Sequence, residues 1–172
     1  MSQVSIHYPI IFTLIDYPDP SSIAILVNFK GCEHNCVECQ NSTLQEYEKN
    51  PYMDGQTLYN ILIIKTQEYD TKAVVFSGGD SLAPRNLEFT KSFLKQFGNS
   101  FDICIYTGYK IEYVKENKII GFQFIKCGKF EKSLQQHSIK NDGYIQFASS
   151  NQELYDYNYR KLSSNGIYYF KN

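Results

Sequence analysis

The stretch at residues 23–41, IAILVNFKGCEHNCVECQN, decides the fold and places a cysteine-rich loop within it. Its first part, residues 23–29, is a nearly continuous apolar run rich in β-forming residues. Such a run is typical of a strand covered on both faces, as in a parallel sheet. Cys32, Cys36 and Cys39 follow directly. We therefore predict a buried parallel strand whose carboxyl end leads into a loop with three thiols.

Beyond this loop, apolar segments alternate with amphipathic helical patterns. The predicted strands are residues 73–76, 101–106 and 119–125. One helix is predicted after the capping residue Asp54, a second after Pro84 and a short third one over residues 111–117. Strands that alternate with helices are typical of βαβ units with right-handed crossovers. We therefore predict an α/β fold with a parallel sheet of βα units, either an open doubly wound sheet or an incomplete barrel.

Three short motifs follow three of the predicted strands. The cysteine loop follows the first, Ser77-Gly78-Gly79-Asp80 follows the second, and Thr107-Gly108-Tyr109 follows the third. The carboxyl ends of parallel strands meet at one edge of a sheet, where ligands usually bind. A glycine pair permits close backbone approach to a ligand, and a carboxylate there can accept from an ammonium group. We therefore predict a binding site at this edge.

Length and charge limit the organisation of the chain and its partners. A chain of 172 residues can bury one sizeable core, so we predict a single domain, residues 1–172. The formal net charge is -1 and the lysines are spread along the chain, which argues against a nucleic-acid partner. We find no secretory signal and no apolar run of about 18 residues, so we expect a cytoplasmic protein with no membrane partner.

The five cysteines are better explained as metal ligands than as a disulfide framework. Their number is odd, and three of them are clustered with the spacing C-x3-C-x2-C. Three thiolates on one loop suit an iron-sulfur cluster or another thiophilic metal. In a cluster of four irons, three thiolates leave one iron open for a substrate or cofactor, as in catalytic metal sites generally.

A structural zinc site is the competing interpretation of the cysteine loop. Its fourth ligand would be His34 or Cys127, although such sites usually use paired C-x2-C knuckles at two places in the chain. We expect His34 to be a solvated loop residue rather than a ligand. Cys104 alternates with apolar neighbours in a predicted strand, so we expect a buried structural thiol there.

Taken together, these motifs resemble the radical S-adenosylmethionine superfamily. Its hallmark is C-x3-C-x2-C after the first strand and a glycine-rich loop after the second, which FKGCEHNCVECQN and VVFSGGDSLAPRN fit. More narrowly, the chain is similar to the activating proteins of anaerobic ribonucleoside-triphosphate reductases. The motifs SGGDSLAPRN, IYTGY and SSNQ stand in the order of that family, and the similarity covers residues 16–152.

The resemblance implies roles for individual residues. Cys32, Cys36 and Cys39 would hold a 4Fe-4S cluster, whose fourth iron would be chelated by the methionine amino and carboxylate groups of S-adenosylmethionine. Gly78, Gly79 and Asp80 would contact that methionine moiety. No residue need act as an acid or base beyond the cluster. The implied cofactor-binding set is Glu38, Gln40, Asn41, Ser77, Gly78, Gly79, Asp80, Thr107, Gly108, Tyr109, Ser149 and Asn151.

The chain departs from the family pattern at several positions. Ser81 stands where the family usually has proline, and Glu38 stands where the superfamily prefers an aromatic residue. Lys126-Cys127 and Phe147-Ala148 replace a usual aspartate and a usual Arg-Gly pair, respectively. None of these changes removes a cluster ligand.

The activity implied by the resemblance is reductive cleavage of S-adenosylmethionine to a 5'-deoxyadenosyl radical, which abstracts hydrogen from a glycine Cα. The implied partners are the large catalytic subunit of an anaerobic ribonucleotide reductase and an electron donor such as a flavodoxin. An incomplete barrel leaves an open face that a protein substrate could cover. The alternatives are a small-molecule radical enzyme similar to 7-carboxy-7-deazaguanine synthase, and a non-catalytic iron-sulfur or zinc protein.

Overall fold

A mixed six-stranded sheet and a small three-stranded sheet make up the β structure of the computed structural model, which describes residues 2–170. The strands are β1 (Ile6–Thr13), β2 (Ala24–Phe29), β3 (Ala73–Gly78), β4 (Asp102–Tyr106), β5 (Phe124–Cys127), β6 (Ile139–Lys140), β7 (Tyr144–Gln146), β8 (Glu153–Asp156) and β9 (Ile167–Tyr169). The helices are α1 (Gly55–Glu68), α2 (Pro84–Phe97) and α3 (Ile111–Glu116), with short 3-10 turns at Ser42–Leu44, Gly98–Ser100 and Lys132–Leu134.

The centre of the large sheet is parallel, as predicted. Its order is β1-β2-β3-β4-β5-β8, and β2, β3, β4 and β5 run parallel to one another. This order never reverses, as in a partial barrel and unlike a doubly wound sheet. Right-handed crossovers that always advance in one direction place α1, α2 and α3 on the same face of the sheet. The opposite, concave face carries none of these helices and is open to the small sheet and to a site.

The main core fills the space between the helices and the sheet. The helices contribute Leu58, Phe89 and Val114, which pack with strand residues such as Val27 and Phe76. The predicted cap of α1 is confirmed, because the Asp54 carboxylate accepts a hydrogen bond of 2.8 Å from the Thr57 amide. Pro84 occupies the first turn of α2, where its missing N–H costs no hydrogen bond.

The predicted parallel sheet has an antiparallel strand at each edge, which the sequence analysis did not foresee. β1 pairs with β2 and β8 pairs with β5, both antiparallel. The predicted fourth strand also began too early, because β5 starts at Phe124 and Ile119 is a buried residue ahead of a turn at Gly121. A short apolar run has the same pattern in a buried loop as in a strand.

The small sheet β6-β7-β9 packs on the concave face of the large sheet. Ile145, Phe147 and Leu154 are buried there against Tyr106 and Phe124. The small sheet therefore forms one wall of a cavity whose other wall is the carboxyl edge of the parallel strands. No helix within residues 2–170 is both long and apolar enough to cross a membrane.

Candidate active site

The cysteine loop is anchored by its own backbone to the segment that follows it. The Gly31 amide donates to the Leu44 carbonyl and the Cys32 amide donates to the Gln45 carbonyl, each at 2.8 Å. These bonds close the loop into a ring and turn its thiols toward the concave side. Cys32, Cys36 and Cys39 are free and partly exposed, and all three line one cavity of about 360 Å³. That volume lies within the range of small-molecule sites.

The glycine pair brings the cysteine loop close to the end of β3. The Gly79 amide donates to the Phe29 carbonyl at 2.7 Å, and the Asp80 amide donates to the Gly31 carbonyl at 2.8 Å. A Cβ at Gly79 would lie 2.6 Å from the Gly31 carbonyl oxygen. The space left by the missing side chain of Gly79 is therefore occupied by the backbone of the cysteine loop.

Asp80 joins the three motif loops behind the cavity wall. Its side chain is completely buried, and Oδ1 accepts from the Leu82 amide at 2.8 Å. Oδ2 accepts from Thr107 Oγ1 at 2.9 Å, from the Gly108 amide at 2.8 Å and from His34 Nε2 at 2.9 Å. One carboxylate thus connects the cysteine loop, its own loop and the turn after β4.

The prediction that His34 is solvated was wrong. The exposed fraction of its side chain is 14%, and its ring packs edge-on against Tyr109 with the two ring centroids 4.4 Å apart. The sequence shows no signal for this, because the partners of His34 are distant in the chain. His34 is a link between two loops.

Most of the predicted cofactor-binding residues meet at the cavity, and four do not. Those that line it are Glu38, Gln40, Asn41, Ser77, Gly78, Gly79, Thr107 and Gly108. Asn41 also donates to the Gly78 carbonyl at 3.2 Å, which ties the cysteine loop to the glycine pair. Asp80, Tyr109, Ser149 and Asn151 lie outside the lining.

Each of those outlying residues other than Asp80 has a partner that explains its position. Tyr109 stacks on Tyr113 with ring centroids 3.9 Å apart. The Ser149 hydroxyl accepts from the Glu131 amide, and the Asn151 amide donates to the Lys129 carbonyl at 2.9 Å. The SSNQ segment therefore supports the loop after β5 from behind.

The sequence analysis did not assign two ionisable residues on the cavity wall, Lys126 and Asp16. The Lys126 ammonium lies 4.2 Å from the centroid of the Tyr106 ring. Burial lowers the pKa of Lys126 to about 8. Alternation along β5 could have placed this lysine, because its neighbours Ile125 and Cys127 are buried on the helical side.

Comparison with known proteins identifies the family. The model of a family described as a 4Fe-4S single cluster domain matches residues 22–155. The chain belongs to this family of radical S-adenosylmethionine-type domains. It is also similar to the anaerobic ribonucleoside-triphosphate reductase-activating protein of Enterobacteria phage T4, at 25% identity over 123 residues, which cover 69% of this chain and 78% of the phage protein.

The arrangement of the thiols fits the cluster of this family better than a zinc ion. Among residues 2–170, no group of three His, Cys, Asp or Glu side chains converges to hold one ion. A zinc ion needs four ligands around one point, whereas the three thiolates of a cubane bind three different irons. His34 is engaged by Asp80, and Cys127 is buried in the core. Neither is therefore placed as the fourth zinc ligand.

Cys32 is expected to react slowly with alkylating agents in the metal-free protein. Burial raises the pKa of its thiol to about 11 and also raises that of Cys36. A thiol with a raised pKa holds its proton at neutral pH, and only the thiolate reacts. Iodoacetamide labelling of Cys32, followed by mass spectrometry across pH 7–12, should reach half its maximal rate near pH 11. In urea, the same cysteine should reach half its maximal labelling rate at about pH 8.5. If the folded and unfolded proteins gave the same dependence of rate on pH, the burial of Cys32 would be contradicted.

Proposed function

We propose that this radical S-adenosylmethionine enzyme is an activase that installs a glycyl radical on the large subunit of an anaerobic ribonucleoside-triphosphate reductase. The observation that carries the proposal is that three thiols and the backbone of Gly78 and Gly79 line one cavity. The similarity to a phage protein whose name states this activity supports the choice of partner.

The chain's own residues bind and orient the reacting groups. Cys32, Cys36 and Cys39 would hold the cluster, and the backbone of Gly78 and Gly79 would bind the cofactor in the same cavity. The chemistry supplied by the bound cluster and S-adenosylmethionine is one-electron cleavage of the sulfonium. The electron would come from a donor such as a flavodoxin. Catalysis then depends on position and on the exclusion of water, because no acid or base is required.

The surface beside the cavity favours a protein substrate over a small molecule. Ile15 lines the cavity and is 55% exposed, and Leu14, next to it in the chain, is 57% exposed. Neighbouring exposed apolar side chains at the rim of a site are typical of a surface that another protein covers. An enzyme that acts on a small molecule alone gains nothing from such a rim.

The proposal is tested by electron paramagnetic resonance (EPR) after anaerobic reconstitution with iron and sulfide. We expect a reduced cluster whose signal shifts when S-adenosylmethionine is added, and an organic radical that forms only when the reductase large subunit is also present. A large subunit with alanine in place of its radical glycine should give no radical. Turnover of a small molecule without any protein partner would instead favour the deazaguanine synthase-like alternative.

A further inference from the structure

We propose that Asp80 positions the cysteine loop through His34, and that it does not bind the methionine ammonium of the cofactor. The inference rests on the proposed function only for the identity of the cofactor. It assigns to both residues a role in holding the cluster site together, and it replaces the direct contact that the sequence motif implies for Asp80.

The first support is the saturation of the Asp80 carboxylate. It is completely buried, and its two oxygens already accept four hydrogen bonds, three of them at Oδ2. Oδ2 has no acceptor position left, and Oδ1 is out of reach because Asp80 is completely buried and does not line the cavity, so an ammonium could bind only if this part of the site rearranged. The carboxylate is instead satisfied inside the protein by donors from Leu82, Thr107, Gly108 and His34.

The second support is the fit of the His34 ring between two loops. His34 lies midway between the ligands Cys32 and Cys36, and its Nε2 donates to Asp80. A Cβ at Gly108 would overlap the imidazole, so the glycine of the Thr107-Gly108-Tyr109 turn makes room for the ring. Tyr109 then covers the edge of the ring. The imidazole is thus packed on one side and hydrogen-bonded on the other.

These contacts have a mechanical consequence. The loop that carries the thiols is held to the turn after β4 through one histidine and one carboxylate, and neither contact involves a cluster ligand. Ligand loops that are held in advance by a second layer of hydrogen bonds bind metals and cofactors better than loops that must be ordered on binding. Asp80 therefore fixes the position of the cysteine loop relative to the turn after β4.

The first test uses the metal-free protein and hydrogen exchange measured by mass spectrometry. In His34→Leu and in Asp80→Asn we expect exchange of the amides in residues 31–41 to become at least about tenfold faster. The double variant should be no faster than Asp80→Asn alone, because His34→Leu removes a contact that Asp80→Asn has already weakened. His34→Gln, whose amide can donate to Asp80, should restore much of the protection. His7→Leu, on the exposed side of β1, is the matched control and should change nothing.

The second test measures cofactor binding by the reconstituted protein, followed by the EPR shift. His34→Leu should weaken S-adenosylmethionine binding by a factor of about ten and Asp80→Asn by at least that factor, and the double variant should bind no more weakly than Asp80→Asn alone. The loss of affinity caused by Asp80→Asn should be the same for an analogue of S-adenosylmethionine that lacks the amino group. If Asp80→Asn bound this analogue as tightly as the unmodified protein does, the proposal would be overturned, because Asp80 would then bind the ammonium directly.

The outcomes separate this inference from the proposed function. Amide exchange and S-adenosylmethionine binding are both measured without the reductase. Failure to form a glycyl radical would therefore not change either result. Additive effects of the two variants, or no rescue by His34→Gln, would overturn the inference even if the radical forms. If Asp80→Asn does not fold, the comparison of His34→Leu with His34→Gln decides, since both keep the buried carboxylate.

Discussion

Cys36→Ala is expected to abolish binding of the iron-sulfur cluster while the fold is kept. Cys36 is a half-buried loop residue that lines the cavity, and the two loop anchors, at Gly31 and Cys32, do not depend on its side chain. Removal of one of three thiolates leaves two irons without a protein ligand, and a cubane held by only two thiolates is lost. Iron and sulfide content after reconstitution should fall close to zero, and reductive cleavage of S-adenosylmethionine should fall with it.

Cys104→Ala is the matched control for this loss. Cys104 is completely buried in β4, where it packs with Ala73 and Val75 as the sequence predicted. Its replacement should cost about 1 kcal/mol of unfolding free energy through lost packing, with cluster content unchanged. Retention of a full cluster by Cys36→Ala would refute the assignment of the ligand loop, and loss of the cluster in both variants would indicate a general loss of stability.

The parallel centre of the fold could be predicted because its strands are buried on both faces. β2, β3 and β4 are largely apolar runs separated by two amphipathic helices, and this pattern has few other interpretations. β1 could not be predicted in the same way. It exposes Tyr8, Ile11 and Phe12, so its pattern lacks the polar outer face of an ordinary edge strand. The small sheet has strands of only two or three residues, which are too short for any periodicity.

The position of the site could be predicted, but its internal contacts could not. Parallel strands bring their carboxyl ends to one edge, so the order of the three motifs was enough to bring the loops together. The direction of a side chain after a glycine pair depends on the local turn. Asp80 points behind the wall toward Thr107 and His34, which are distant in sequence. The spacing of residues in the sequence does not show in which direction the Asp80 side chain points.

Gly79→Ala is expected to disrupt the cysteine loop although it touches no ligand. The added Cβ would lie 2.6 Å from the Gly31 carbonyl oxygen and 2.7 Å from that of Leu44, both of which are backbone atoms. These carbonyls accept the bonds from Asp80 and Gly31 that hold the loop, so the clash cannot be relieved without breaking one of them. Overpacking of this kind costs about 3 kcal/mol. Urea unfolding of the metal-free protein measures that cost.

Cluster content distinguishes a local effect of Gly79→Ala from a general one. We expect iron bound per chain to fall several-fold even at temperatures where the variant is fully folded, because the thiols move with the displaced loop. Gly143→Ala is the matched control, since a Cβ there would meet only the Asn141 side chain at an ordinary 3.5 Å. Equal stability and equal iron content in the two variants would show that the loop adapts freely. Loss in Gly79→Ala alone would show that the glycine pair builds the cluster site before any cofactor reaches it.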